Sequence, residues 1–157
     1  MDYLTLKWLH ILSAIVLVGG GFGSAFHLLA ASLQREPSYA AAAAQNVLRS
    51  DVMFAGPSAM FQLASGLWLV DRLGLALSTP WIAWSLGLYG VAFGLWVPVI
   101  WLEMRMRRIA QEAAHRHEGL PRRYWASLGV WAVLAAVGFT AFLGILWLMT
   151  AKRLPGM

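Results

Sequence analysis

The chain contains no cysteine. That absence excludes disulfides, thiolate zinc sites, cysteine-ligated iron–sulfur clusters and covalent c-type haem attachment. Any metal chemistry is left to His, Met, carboxylates or a cofactor held without a covalent bond. Charge is scarce too: 12% of the 157 residues are Asp, Glu, Lys or Arg, against about a quarter in a soluble domain. The charges present are also segregated. None occurs from Trp8 to Gln34, from Val52 to Val70, from Leu73 to Leu102 or from Tyr124 to Ala151. Hydrolase signatures are missing as well. There is no HExxH, no evident pair of acids within a span and no recognisable nucleophile–His–acid set.

What is there instead is apolar: 60% of the residues are hydrophobic, with nine tryptophans among them. A helix needs about 20 apolar residues to cross the hydrocarbon core, and each uncharged run is long enough. Only helices and closed barrels satisfy their backbone in lipid, and continuous apolarity without alternation selects helices. The expected fold is an all-α integral membrane four-helix bundle, a single domain over 1–157 with spans at about 4–33, 52–73, 80–104 and 123–151. The first run is too long for the apolar core of a signal peptide, about 7–15 residues. Between spans one and two, Pro37 and five alanines predict a short helix along the interface. After span three, "EMRMRRIAQEAAHRHEG" predicts a cytoplasmic extension that stops near Gly119 and Pro121.

The net charge of +5 would suggest nucleic acid in a soluble protein, but here topology accounts for it. Eight arginines fall in loops one and three, between Arg35 and Arg49 and between Arg105 and Arg123. Four basic residues (Lys7, Arg72, Lys152 and Arg153) fall on the other side. The positive-inside rule then places loops one and three in the cytoplasm and both termini outside, which in a bacterial inner membrane, as the resemblance given below implies, is the periplasm. The basic loops would attract anionic headgroups. The lipid bilayer is the expected partner, nucleic acid is not, and homo-oligomerisation is left open.

Two histidines interrupt the first span. His27 lies seventeen residues beyond His10, which is about 25 Å of helix and roughly 100° of rotation. They cannot serve one iron together. His10 heads a face with Ser13, Ala14, Leu17, Gly21 and Ser24, small residues that permit close helix packing or leave a slot for a flat ligand. Ionisable residues in a span suggest function by default; the plain alternative is a neutral His hydrogen-bonded to a neighbouring hydroxyl or backbone. His27 could pair with Asp51, Glu103 or Tyr124. His115 and His117 are two apart on a helix and read as solvated basic surface. In span two, Ser58, Gln62, Ser65 and Leu69 form a stripe at helical spacing, either interhelical hydrogen bonding or a cofactor contact. The outer tryptophans, Trp8, Trp68, Trp81, Trp84 and Trp147, fit interface anchors, or else the wall of an aromatic ligand.

"LKWLHILSAIVLVGGG", "RSDVMFAGPSAMFQLASGLWL", "PWIAWSLGLYGVAFGLWVPVIWLEMRMR" and a last helix ending "WLMTAKRLP" together resemble a bacterial family of four-helix "predicted integral membrane proteins". That resemblance implies the fold and no activity. More distantly, "KWLHILSAIVLVGG" resembles the first helix of the HemJ-type protoporphyrinogen oxidases, four-helix proteins that bind b-type haem. The likeness implies haem at His10. Span three has no lysine where that family carries one, so the oxidase activity does not transfer.

On this reading His10 is the iron ligand, with Ala14, Gly21 and Ser24 making room. Depth matching adds Trp84, with Met149 as a second axial candidate and Lys152 or Arg153 for a propionate. The expected role is redox or haem handling, with a membrane redox partner. The alternatives are a non-enzymatic scaffold, assembly factor or accessory subunit, and, third, a transporter of metal or small solutes.

Overall fold

The computed structural model describes residues 2–152 of the chain. Helix α1 (Tyr3–Leu33) starts where the Asp2 side chain accepts the Thr5 backbone N–H at 3.0 Å. This satisfies one of the donors that every helix N-terminus leaves open, and hydrogen bonding from Thr5, its side chain first and then its backbone N–H, lowers the Asp2 pKa below its ordinary value. A tight turn follows with Arg35 at φ 58°. Glu36 then caps α2 (Pro37–Ser50), and Pro37 sits in the first turn, where its missing N–H costs nothing.

The helix expected in loop one is present, but it is not a separate interfacial piece. It runs on through a π-helical turn (Asp51–Ala55) into α3 (Gly56–Arg72). Pro57 supplies the reason. It cannot donate to the carbonyl four residues back, and its ring crowds that carbonyl. The turn before it widens, so that the Gly56 N–H reaches the Asp51 carbonyl, five residues back. Gly56 suits this approach: a Cβ would sit 3.2 Å from the Trp96 ring and 3.3 Å from the Asp51 carbonyl oxygen, so a neighbour would have to give way slightly.

Helix α4 (Pro80–His115) carries the expected extension, and α5 (Arg122–Ala151) returns to Lys152, whose left-handed φ of 53° ends the helix. Four helices are long and apolar enough to cross a membrane: α1, the continuous Pro37–Arg72 helix, α4 and α5. At 36 residues each, the second and third reach about 54 Å, well beyond a hydrocarbon core of about 30 Å.

Packing is uneven along the bundle. At the basic end, Ala40, Ala44 and Val47 of α2 are buried in one cluster with Leu28 of α1, Met106 and Ala110 of α4, and Tyr124 and Trp131 of α5. Alanines let the α2 and α4 backbones come close, which is why five in a row suit this position. Ser32 and Tyr124, both buried, share a 2.7 Å hydrogen bond across α1 and α5. Toward the other end the bundle separates into two pairs, α1 with α3 and α4 with α5. Among the described residues no Cα of α3 comes within 8 Å of one in α4 or α5. A long side chain bridges the gap: the Tyr89 hydroxyl donates to the Ala59 carbonyl at 2.8 Å.

Candidate functional site

The gap between the two helix pairs is a cavity of about 340 Å³, within the range of small-molecule sites. Its wall is almost wholly apolar. Leu17, Gly21 and Phe22 come from α1, Ala59 from α3, Tyr89, Ala92, Phe93 and Trp96 from α4, and Trp131, Ala135 and Phe139 from α5. Phe22 is 64% exposed and Phe93 40%, so the cavity reaches the apolar outer surface of the bundle. The two carboxyls on its wall are Asp51 and Glu103.

Local structure aims both carboxyls inward. The π turn carries Asp51 to a position where it is only 8% exposed, and the Trp96 indole N–H donates to its Oδ2 at 2.9 Å. Glu103 is 1% exposed, and the Trp131 indole N–H donates to its Oε1 at 2.9 Å. Its other oxygen, Oε2, is buried with no hydrogen-bond partner. Such a group is expensive, because the lost hydration is not replaced. The sequence reading found no pair of acids within the spans. Each borders an uncharged run, Asp51 just before Val52 and Glu103 just after Leu102, and folding brings them to one cavity wall.

His10 lies elsewhere, between α1 and α3. Its Nδ1 is 2.8 Å from the Ser65 hydroxyl, and its Nε2 is 3.0 Å from the Gln62 side-chain nitrogen. Ser13 donates both to the His10 carbonyl and to the Gln62 side-chain oxygen. Gly66 is needed for this approach, since a Cβ there would stand 3.2 Å from His10 Cε1. The Gln62/Ser65 stripe of span two is thus interhelical hydrogen bonding, with His10 as its partner.

The remaining expected site residues are dispersed. Gly21 and Ser24 line the large cavity, while Ala14 lines a small crevice with Gln62 and Tyr89. Trp84 is 60% exposed on the bundle surface, as are Trp8, Trp68 and Trp147 at lower or similar levels. None of these four tryptophans lines the cavity. Met149 is half-buried, also away from the cavity wall, and Lys152 is the exposed C-terminal cap of α5. Arg153 lies outside the described residues. His27 is half-buried on α1, and its expected partners are engaged elsewhere: Asp51 with Trp96, Glu103 with Trp131, Tyr124 with Ser32.

These residues do not fit an iron site. Both ring nitrogens of His10 already face hydrogen-bonding partners, and the cavity that could take a flat ring has no histidine on its wall. Among the described residues no group of three or more His, Asp or Glu side chains could hold a metal ion.

Four long apolar helices around an intramembrane cavity define a multi-pass integral membrane protein. The chain belongs to the family described as "Predicted integral membrane protein (DUF2269)", whose model matches residues 4–153. No curated protein and no solved structure matches it. No comparison shows the HemJ-type likeness of the first helix, and no function rests on it.

Proposed function

We propose that the protein is a membrane-embedded binding protein that takes a lipophilic small molecule from the bilayer into the cavity between its two helix pairs. One observation carries this reading: an apolar cavity of about 340 Å³ that reaches the outer surface at Phe22 and Phe93 and has on its wall Glu103, one of whose oxygens is buried without a partner. Close-packed interiors have few voids larger than a water molecule. A scaffold held by packing alone has no use for a void of this size or for an unsatisfied carboxyl. The distribution of arginines supports an inner-membrane orientation with the α2 end in the cytoplasm and both termini outside.

The test is saturable binding to the protein in lipid nanodiscs, corrected with empty discs. Two radiolabelled biphenyl probes are used: 4-biphenylmethyl-trimethylammonium and its uncharged carbon isostere, 4-neopentylbiphenyl. At least one binds at about one per chain, the stoichiometry expected of one preformed pocket, and Ala135→Trp, which fills the cavity, removes that binding. Partition of both probes indistinguishable from empty discs would sink the proposal. Haem b on His10 is the competing reading. It requires Gln62 or Ser65 to release the imidazole, and a stoichiometric b-type spectrum lost in His10→Ala would establish it instead.

A further inference from the structure

We infer that the molecule held in this cavity is a lipophilic ammonium ion, with Glu103 and Asp51 as its counter-charges. The inference rests on the reading of the cavity as a ligand site. The charged side chains on the wall are all acidic: Asp51 and Glu103 line it, and no Lys, Arg or His does. An anionic ligand would meet repulsion with nothing to offset it. A bare metal ion would find no cage of ligands among the described residues, and the space is far larger than such an ion needs.

The rest of the wall suits an organic cation. Trp96 and Trp131 place indole rings at the carboxyl end and Tyr89 and Phe93 add rings farther along the wall, and ring faces attract a desolvated ammonium, tryptophan most strongly. The two indole N–H groups are turned onto the carboxyls, which fixes the acids. Each indole satisfies one carboxyl oxygen. The opposite oxygen of Glu103 is left buried without a partner, an unused acceptor that a positive head group at the wall would engage when the carboxyl turns toward the cavity. Burying a lone carboxylate in apolar surroundings is costly, and pairing it with a cation offsets that cost. The apolar remainder of the cavity, open at Phe22, takes the lipophilic body.

The two biphenyl probes separate this inference from the binding reading beneath it, because they share shape and differ in charge. The ammonium probe is expected to bind wild-type protein at least about tenfold more tightly than its carbon isostere, as one desolvated cation–π or ion-pair contact requires. In Glu103→Gln, which keeps an oxygen for the Trp131 indole, that preference should fall at least about threefold while binding of the isostere is unchanged, Asp51 and the aromatic rings retaining the remainder. Equal binding of both probes to wild-type protein, with both still displaced by Ala135→Trp, would leave the cavity a ligand site and overturn the ammonium assignment. Absence of saturable binding by either probe would overturn both. The wild-type comparison stands even where Glu103→Gln does not fold, and an undiminished preference in a folded Glu103→Gln protein refutes the role given to Glu103.

Discussion

The hydrogen bond from Trp131 to Glu103 joins α5 to α4 at the inner end of the cavity, and its worth can be worked out before it is measured. Trp131 is 3% exposed and Glu103 1%, so water cannot replace the bond when it is broken. Trp131→Phe keeps an aromatic ring but removes the donor and part of the indole. A hydrogen bond to a charged group contributes about 1.5–3 kcal/mol. The smaller ring adds a packing loss of about 1 kcal/mol at the usual cost per unit of cavity volume. The single variant should therefore lose roughly 2.5–4 kcal/mol. Glu103 would then have both oxygens buried and unpaired, which is the costly situation.

A double-mutant cycle isolates the bond. Glu103→Leu alone strands the indole N–H, whereas Glu103→Leu with Trp131→Phe removes both polar partners together, which can be nearly neutral. The expected coupling energy is about 1.5 kcal/mol or more, above the average of about 0.6 kcal/mol for interhelical hydrogen bonds in bilayers. Unfolding by SDS titration in mixed micelles, read by limited proteolysis, gives the four stabilities without relying on tryptophan emission. A coupling indistinguishable from zero would mean that the indole does not hold Glu103, and the account of a fixed carboxyl on the cavity wall would fall.

Two further predictions concern α1 and the orientation. His10→Ala removes two hydrogen bonds across α1 and α3 and should lower stability by about 1 kcal/mol at bilayer values per bond; Gly66→Leu, which forces the imidazole off its partners, should cost at least as much by the same titration, and no loss in either would refute the network. The cysteine-free chain also allows single cysteines at exposed Leu77 and Gly119 to report topology. A membrane-impermeant maleimide on intact cells should label Leu77→Cys and reach Gly119→Cys only after lysis, and the opposite pattern would invert the orientation.

The helical architecture was legible because it depends on where charge is missing, and segregation of charge is a local property. Pro37 and Pro80 mark helix starts for an equally local reason, the N–H they lack. The partners of His10 were half-legible. The spacing of Gln62 and Ser65 put them on one face of span two, and a polar face in a span must find another helix. Which helix it finds depends on packing 55 residues away for Ser65 and 52 for Gln62. The π turn was not legible as such, although Pro57 flagged the place: the same proline is compatible with a kink, a break or a widened turn, and tertiary contacts at Gly56 decide among them. The cavity was least visible. Trp96 and Trp131 are two tryptophans among nine, and only folding reveals that they face inward while Trp84 and Trp8 face out. Asp51 and Glu103 looked like the ordinary charged borders of two spans, a position that anchors and inward-facing acids share.

The two polar clusters in the bundle invite the same functional reading and separate on one physical criterion, whether their hydrogen bonds are complete. At His10 both ring nitrogens have partners, and Ser13, Gln62 and Ser65 bond to one another or to nearby backbone. A satisfied network of this kind is what helix association in an apolar solvent calls for, and a ligand would have to break bonds to enter it. At Glu103, a residue of the cavity wall, the network stops one partner short. Protein interiors seldom tolerate that, since an apolar residue in its place would remove the penalty. A buried acid kept incomplete beside empty space is therefore better explained by what enters the space than by the fold around it. The same reasoning makes His10, the residue most conspicuous in the sequence, the weaker candidate for binding and the stronger one for holding α1 against α3.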